Sequence, residues 1–256
     1  MKLMIIRHGD PDYAHDSLTA QGRVEAAALA DYLAERRAEL THIYVSPLGR
    51  AQATANYTLE KLGRTAETLD WLREFPAKVR FWEDPQLEAA MPCEFESEKK
   101  GRIAWDILPE YLMANEDYFH KDHWRRTAVC QHSDMEAVYD RVAAGLDELL
   151  ARHGYVREGS FYRVEQSNAD TLVLFCHFGL ECVILSHLLG ISPFALWHGF
   201  CALPTSITVI NTEERRQGIA LWRTTHFGDL YHLARRGIPE SFHARFCERF
   251  EDETLH

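Results

Sequence analysis

The segment KLMIIRHGDP, residues 2–11, decides how the rest of the chain is read. An apolar run from Leu3 to Ile6 passes at once into Arg7, His8, Gly9, Asp10 and Pro11. A short apolar run stopped by Gly and Pro reads as a buried strand ending in a loop. Its charged side chains therefore gather at the strand's C-terminal end. Thr19 then stands as N-cap of a helix over residues 20–40, where Val24, Ala27, Ala28 and Leu33 approximate helical spacing.

The strand–loop–helix unit recurs. Ile43 to Val45 is β-like, Ser46-Pro47 interrupts it, and residues 48–62 return to a helical pattern that carries Arg50 near its start. Residues 171–176, TLVLFC, form the most continuous apolar strand, ending at His177-Phe178-Gly179 before a helical stretch over 180–189. Residues 206–210 and 219–224 predict a hairpin at the sheet edge, joined by the polar turn 211–218. Between 75 and 133, Pro76, Pro85, Pro92 and Pro109 alternate with Phe81, Trp82, Phe95, Trp105 and Trp124. This predicts a helical or irregular insertion whose aromatics make a small core of their own. The expected architecture is one α/β domain over 1–256, a sheet covered by helices, with 75–133 inserted as a cap.

The chain has 256 residues, 46% of them hydrophobic, which suffices for a packed core. A net charge of -11 argues against nucleic-acid partners, whose phosphates need a basic surface. No apolar run reaches a membrane span, and MKLMIIRHGD turns charged too early for a signal peptide, so a cytoplasmic location is expected. Cys93, Cys130, Cys176, Cys182, Cys201 and Cys247 form no CxxC pair and read as buried thiols. His120 and His123 lack further ligands in sequence, so neither a metal nor a cofactor is expected. Homo-oligomerisation stays open.

In open α/β sheets, ligands bind outside the carboxyl ends of the strands, where Arg7, His8 and His177 fall, with Arg50 early in the next helix. Two guanidinium forks match the oxygens of a phosphoryl dianion and never lose their charge. The same charges disfavour an imidazolium, which keeps a histidine nucleophile such as His8 unprotonated. A second histidine, His177, is suited to donate a hydrogen bond to a phosphoryl oxygen.

The ordered set Arg7-His8-Gly9, Leu18-Thr19-Ala20-Gln21-Gly22, Ser46-Pro47-Leu48-Gly49-Arg50-Ala51 and Cys176-His177 resembles the histidine phosphatase superfamily, which includes the phosphoglycerate mutases. The resemblance covers residues 1–74 and 134–232. It implies a three-layer phosphoglycerate mutase-like sandwich with a mostly parallel sheet. It further implies that His8 is phosphorylated, that Arg7 and Arg50 clamp the phosphate, and that His177 completes the pocket. Leu72-Arg73-Glu74 matches the family's proton donor, making Glu74 the general acid and base, with Glu83 and Asp84 as competitors. Three positions depart from the pattern: Ala53 replaces a Gln, Phe178 a small residue, and Ala14 the Asn common in the mutases. The expected function is metal-independent hydrolysis of a small phosphorylated metabolite through phosphohistidine. A phosphomutase is the alternative, although Phe75-Pro76-Ala77 lacks the mutases' Arg-Tyr-Gly-like continuation. A non-catalytic phosphate-ligand sensor is a more distant reading, since the pocket set is intact.

Overall fold

Strand β1 (Lys2–Arg7) lies inside an eight-stranded sheet because both its faces are apolar: Leu3, Met4, Ile5 and Ile6 are all buried. The structure, a computed structural model, describes residues 1–91 and 100–241. Cys93, Phe95 and Cys247 fall outside them. Helix α1 (Ala20–Glu35), strand β2 (His42–Val45), helix α2 (Gly49–Leu62) and the short strand β3 (Glu67–Thr68) follow. After the insertion come α3 (Met135–Arg152), β4 (Tyr155–Glu158), β5 (Phe161–Val164) and β6 (Thr171–Cys176). Helices α4 (Phe178–Leu189) and α5 (Pro193–Gly199) lead to the strands β7 (Ile207–Arg216) and β8 (Ile219–Asp229).

The spatial strand order is β3-β2-β6-β1-β7-β8-β5-β4. Strands β3, β2, β6 and β1 run parallel, and the remaining pairings are antiparallel. Alternation along the parallel strands divides the core into two layers. Met4, Ile6, Ile43, Val45, Val173 and Phe175 pack with Leu29, Leu33, Ala51 and Ala55 of α1 and α2. Leu3, Ile5, Tyr44, Leu172 and Leu174 pack against α3, α4 and α5. The result is an α/β sandwich of three layers.

Several sequence expectations need correction. In α1, Val24 is 50% exposed whereas Glu25 is fully buried. The Glu25 carboxylate accepts the Asp10 N–H at 2.9 Å, so it faces the active loop where apolar spacing had placed Val24. The hairpin β7–β8 is longer than expected and is not the edge, because β5 and β4 continue the sheet beyond it. Among its described residues, segment 75–133 contains only short elements, including helices Pro85–Ala90 and Pro109–Met113 and a two-residue ladder of Lys78–Val79 with Arg102–Ile103. Its apolar side chains Phe81, Leu87 and Trp124 do not form a separate core, however; they join the layer that covers β1 and β6. Trp82 stays exposed.

Candidate active site

Strand register brings the site together. Arg7 pairs with Cys176 across β1 and β6, and Phe175 pairs with Val45 across β6 and β2. The next residues, His8, His177 and Ser46, therefore leave the sheet side by side, with His8 N–H bonded to the Cys176 carbonyl and Ser46 N–H to that of Phe175. The His8 and His177 rings have centroids 5.2 Å apart. Gly22, opening α1, lets that helix press on the loop: a Cβ there would lie 2.3 Å from the Asp10 carbonyl oxygen. Thr19 caps the helix through the Gly22 N–H and donates to the Asp10 carboxylate at 2.6 Å. The Thr-Ala-Gln-Gly motif thus shapes the His8 loop rather than supplying chemistry.

The Gly9 carbonyl defines the tautomer of His8. His8 Nδ1 lies 2.7 Å from the Gly9 carbonyl oxygen, which only accepts, so the proton sits on Nδ1. Nε2 then carries the lone pair and accepts from Arg50 Nε at 3.2 Å. Ser46 Oγ accepts the Leu48 N–H and pairs with His177 Nε2, 2.8 Å away. His177 Nδ1 is buried without a protein partner. Burial, with Arg7 and Arg50 alongside, holds the pKa of His8 well below its ordinary value. Burial and the neighbouring His8, Arg50 and Arg7 do the same for His177.

Arg7 is buried and donates to the Ala202 carbonyl at 2.5 Å, while its Nε has no protein partner. Phe178 sits beside it, with the guanidinium 5.9 Å from the ring centre, so the departure from a small residue adds a cation–π wall. Asp16, which sequence reading missed, fixes Arg50 through a 2.7 Å ion pair and accepts the Gly49 N–H at 2.6 Å. Although burial pushes its carboxyl up, these bonds hold its pKa below the ordinary value. Gln52 donates to the Ser46 carbonyl at 2.7 Å and braces the turn that presents Ser46.

Glu74 joins this group. Its Oε1 accepts the Phe75 and Leu180 N–H groups at 2.8 and 3.1 Å. Burial raises its pKa, opposed by the Phe75 N–H and by the charges of Arg7 and Arg50. Gly179 permits the approach, since a Cβ there would lie 2.7 Å from Glu74 Oε1 and 2.5 Å from the Trp105 ring. The competing carboxylates are engaged elsewhere: Glu83 pairs with Arg80 and His132, and Asp84 caps the helix Pro85–Ala90. Phe75, Trp105 and Trp197 stack around Glu74 with centroids 5.0 to 6.4 Å apart.

The α/β sandwich thus gathers two histidines and two arginines at one end of its parallel strands. A model of the histidine phosphatase superfamily (branch 1) matches residues 3–105 and 98–225, and the chain belongs to that superfamily. Among solved structures, a mycobacterial glucosyl-3-phosphoglycerate phosphatase is 21% identical with a TM-score of 0.58, over 89% of this chain and 98% of that one. A phosphoserine phosphatase mutant of Entamoeba histolytica, crystallised with phosphoserine, is 20% identical with a TM-score of 0.57, over 91% and 98%. At these identities the likeness is one of fold. A leucine–tRNA ligase of Aromatoleum aromaticum is 29% identical over 110 residues, 41% of this chain but 12% of the ligase. The chain thus spans a small part of the curated relatives it matches. Among the described residues no helix is long and apolar enough to cross a membrane.

Proposed function

We propose that this protein is a phosphomonoesterase that hydrolyses a small phosphate ester through a phosphohistidine on His8 Nε2. One observation carries the reading: the Gly9 carbonyl takes the Nδ1 proton, so the Nε2 lone pair faces the arginines. Nε2 attacks phosphorus and the ester P–O bond breaks, with the leaving oxygen taking the proton of Glu74. Water then attacks phosphohistidine, Glu74 accepts its proton, and phosphate departs as His8 regains its neutral form. Arg7, Arg50 and His177 Nδ1–H hold the phosphoryl oxygens in both steps, and the N-terminus of α4 adds a favourable dipole.

The raised pKa of Glu74 supports the acid role, because a carboxyl must still carry its proton when the alkoxide leaves. Hydrolysis is favoured over phosphoryl return by the segment after Glu74, where Phe75-Pro76-Ala77 stands in place of the mutases' Arg-Tyr-Gly-like continuation. Related folds include phosphatases for phosphoserine and for glucosyl-3-phosphoglycerate, which fits a small ester substrate. The test is phosphate release from aryl and alkyl phosphates in the presence of chelator. Chelator-resistant turnover that disappears in His8→Ala is expected; isomerisation without phosphate release, or a ligand bound without turnover, contradicts the assignment.

A further inference from the structure

At the opposite end of the sheet, three side chains from separate elements converge. His42 opens β2, His153 follows α3, and Asp170 immediately precedes β6. One ligand atom from each lies within 4.8 Å of the other two. His42 Nε2 is 3.5 Å and His153 Nδ1 3.9 Å from Asp170 Oδ2. A tetrahedral ion with bonds of about 2.0–2.1 Å sets its ligands roughly 3.3 Å apart, so small side-chain shifts close the set.

The surroundings are those of a ligand set rather than a loose surface pair. Tyr44 Oη lies 2.8 Å from His153 Nε2 and can take that ring proton, leaving Nδ1 to coordinate. Asn168 ties two members together, donating to the His153 carbonyl at 2.9 Å and accepting the Asp170 N–H at 3.1 Å. Arg152, the nearby cation, is neutralised by Glu67 through two hydrogen bonds of 2.9 and 2.6 Å. The side chains are 42%, 9% and 33% exposed for His42, His153 and Asp170, so an ion enters from solvent.

We propose that His42, His153 and Asp170 bind a late first-row divalent cation, zinc by ligand type, that clamps β2 and β6 to the end of α3. Imidazole and carboxylate ligands suit zinc, and solvent completes the tetrahedron. The ion plays no part in the chemistry, since the length of β6 separates Asp170 from His177 by about 20 Å.

Zinc chloride alone is the probe, titrated by calorimetry and thermal melting into chelator-stripped protein. The wild type should bind zinc and gain roughly 5 °C in Tm at a free concentration of 100 Kd. His42→Gln and Asp170→Asn should each lose one zinc equivalent and that gain, with their metal-free Tm and phosphate release unchanged. No zinc-dependent gain in the wild type, or an undiminished equivalent in both variants, overturns the proposal. Zinc lost instead in His123→Gln also overturns it, by placing the ion at the stacked His120–His123 pair.

Discussion

At the level of single residues, the chemistry rests on how two imidazole rings are held. The Gly9 carbonyl holds His8 at Nδ1 and the Ser46 hydroxyl holds His177 at Nε2. Ser46→Ala leaves His177 Nε2 without its hydrogen-bond partner, and kcat should fall about tenfold with KM little changed. Steady-state kinetics check this, and an unaltered kcat refutes the role of Ser46. Glu74→Gln removes the proton donor while keeping its shape. Turnover of alkyl phosphates should fall by roughly 10²–10³, whereas a nitrophenyl ester, whose leaving group needs no proton, should be much less affected. Equal losses on both esters contradict the general-acid role. Because the folded pKa of Glu74 is raised, its proton is present below that pKa, so the alkyl-ester rate falls on the alkaline side. The low pKa of His8 keeps the acid limb well below pH 6.5. The positions of Arg7, His8 and His177 were legible in the sequence because charged residues directly after apolar runs point to strand ends, and that of Arg50 because it opens the helix after such a strand. Asp16 and Ser46 were not, since their roles depend on which side chain reaches which across the loops.

At the level of elements, close backbone contact explains motifs that otherwise look decorative. A methyl group at position 22 meets the Asp10 backbone, and nothing flexible lies there to move aside. Gly22→Ala should therefore destabilise the protein by about 2–3 kcal/mol and shift the His8 loop, lowering both Tm and activity. Thr19→Ala loses the cap and the hydroxyl's bond to the Asp10 carboxylate but creates no clash, and should cost about 1.5 kcal/mol. Paired thermal melts decide between them, and equal effects contradict the contact argument. The strands β1, β2 and β6 were readable from apolar runs, but the burial of Glu25 was not. Its environment is made by Asp10 from another element, and helical periodicity carries no information about such a partner. The short strands β4 and β5 escaped for a similar reason: their alternation is weak, and pairing of β5 with β8 and of β4 with β5 supplies what propensity does not.

For the molecule as a whole, buried titratable groups set opposing trends with pH. His8, His177 and His232 have lowered folded pKa values, His232 to about 4, chiefly through burial. The unfolded chain then binds protons that the fold refuses, so their contribution is present above pH 6.5 and lost as pH falls below it. Glu25 and Glu181 are raised to about 7, again by burial. Their contribution is present below pH 4.5 and lost as pH rises towards 7. The two sets oppose each other between pH 4.5 and 6.5, which flattens stability there. His232→Gln removes one acid-labile member, so relative to wild type it should gain about 2 kcal/mol on going from pH 7.5 to pH 5. A difference in Tm independent of pH contradicts this. The same burial that tunes these groups creates the site, and the most direct test of the central claim is rapid quenching during turnover of a labelled phosphate ester. The account predicts an acid-labile, alkali-stable phosphoryl group on the peptide containing His8, absent in His8→Ala; turnover with no label on His8 would contradict it.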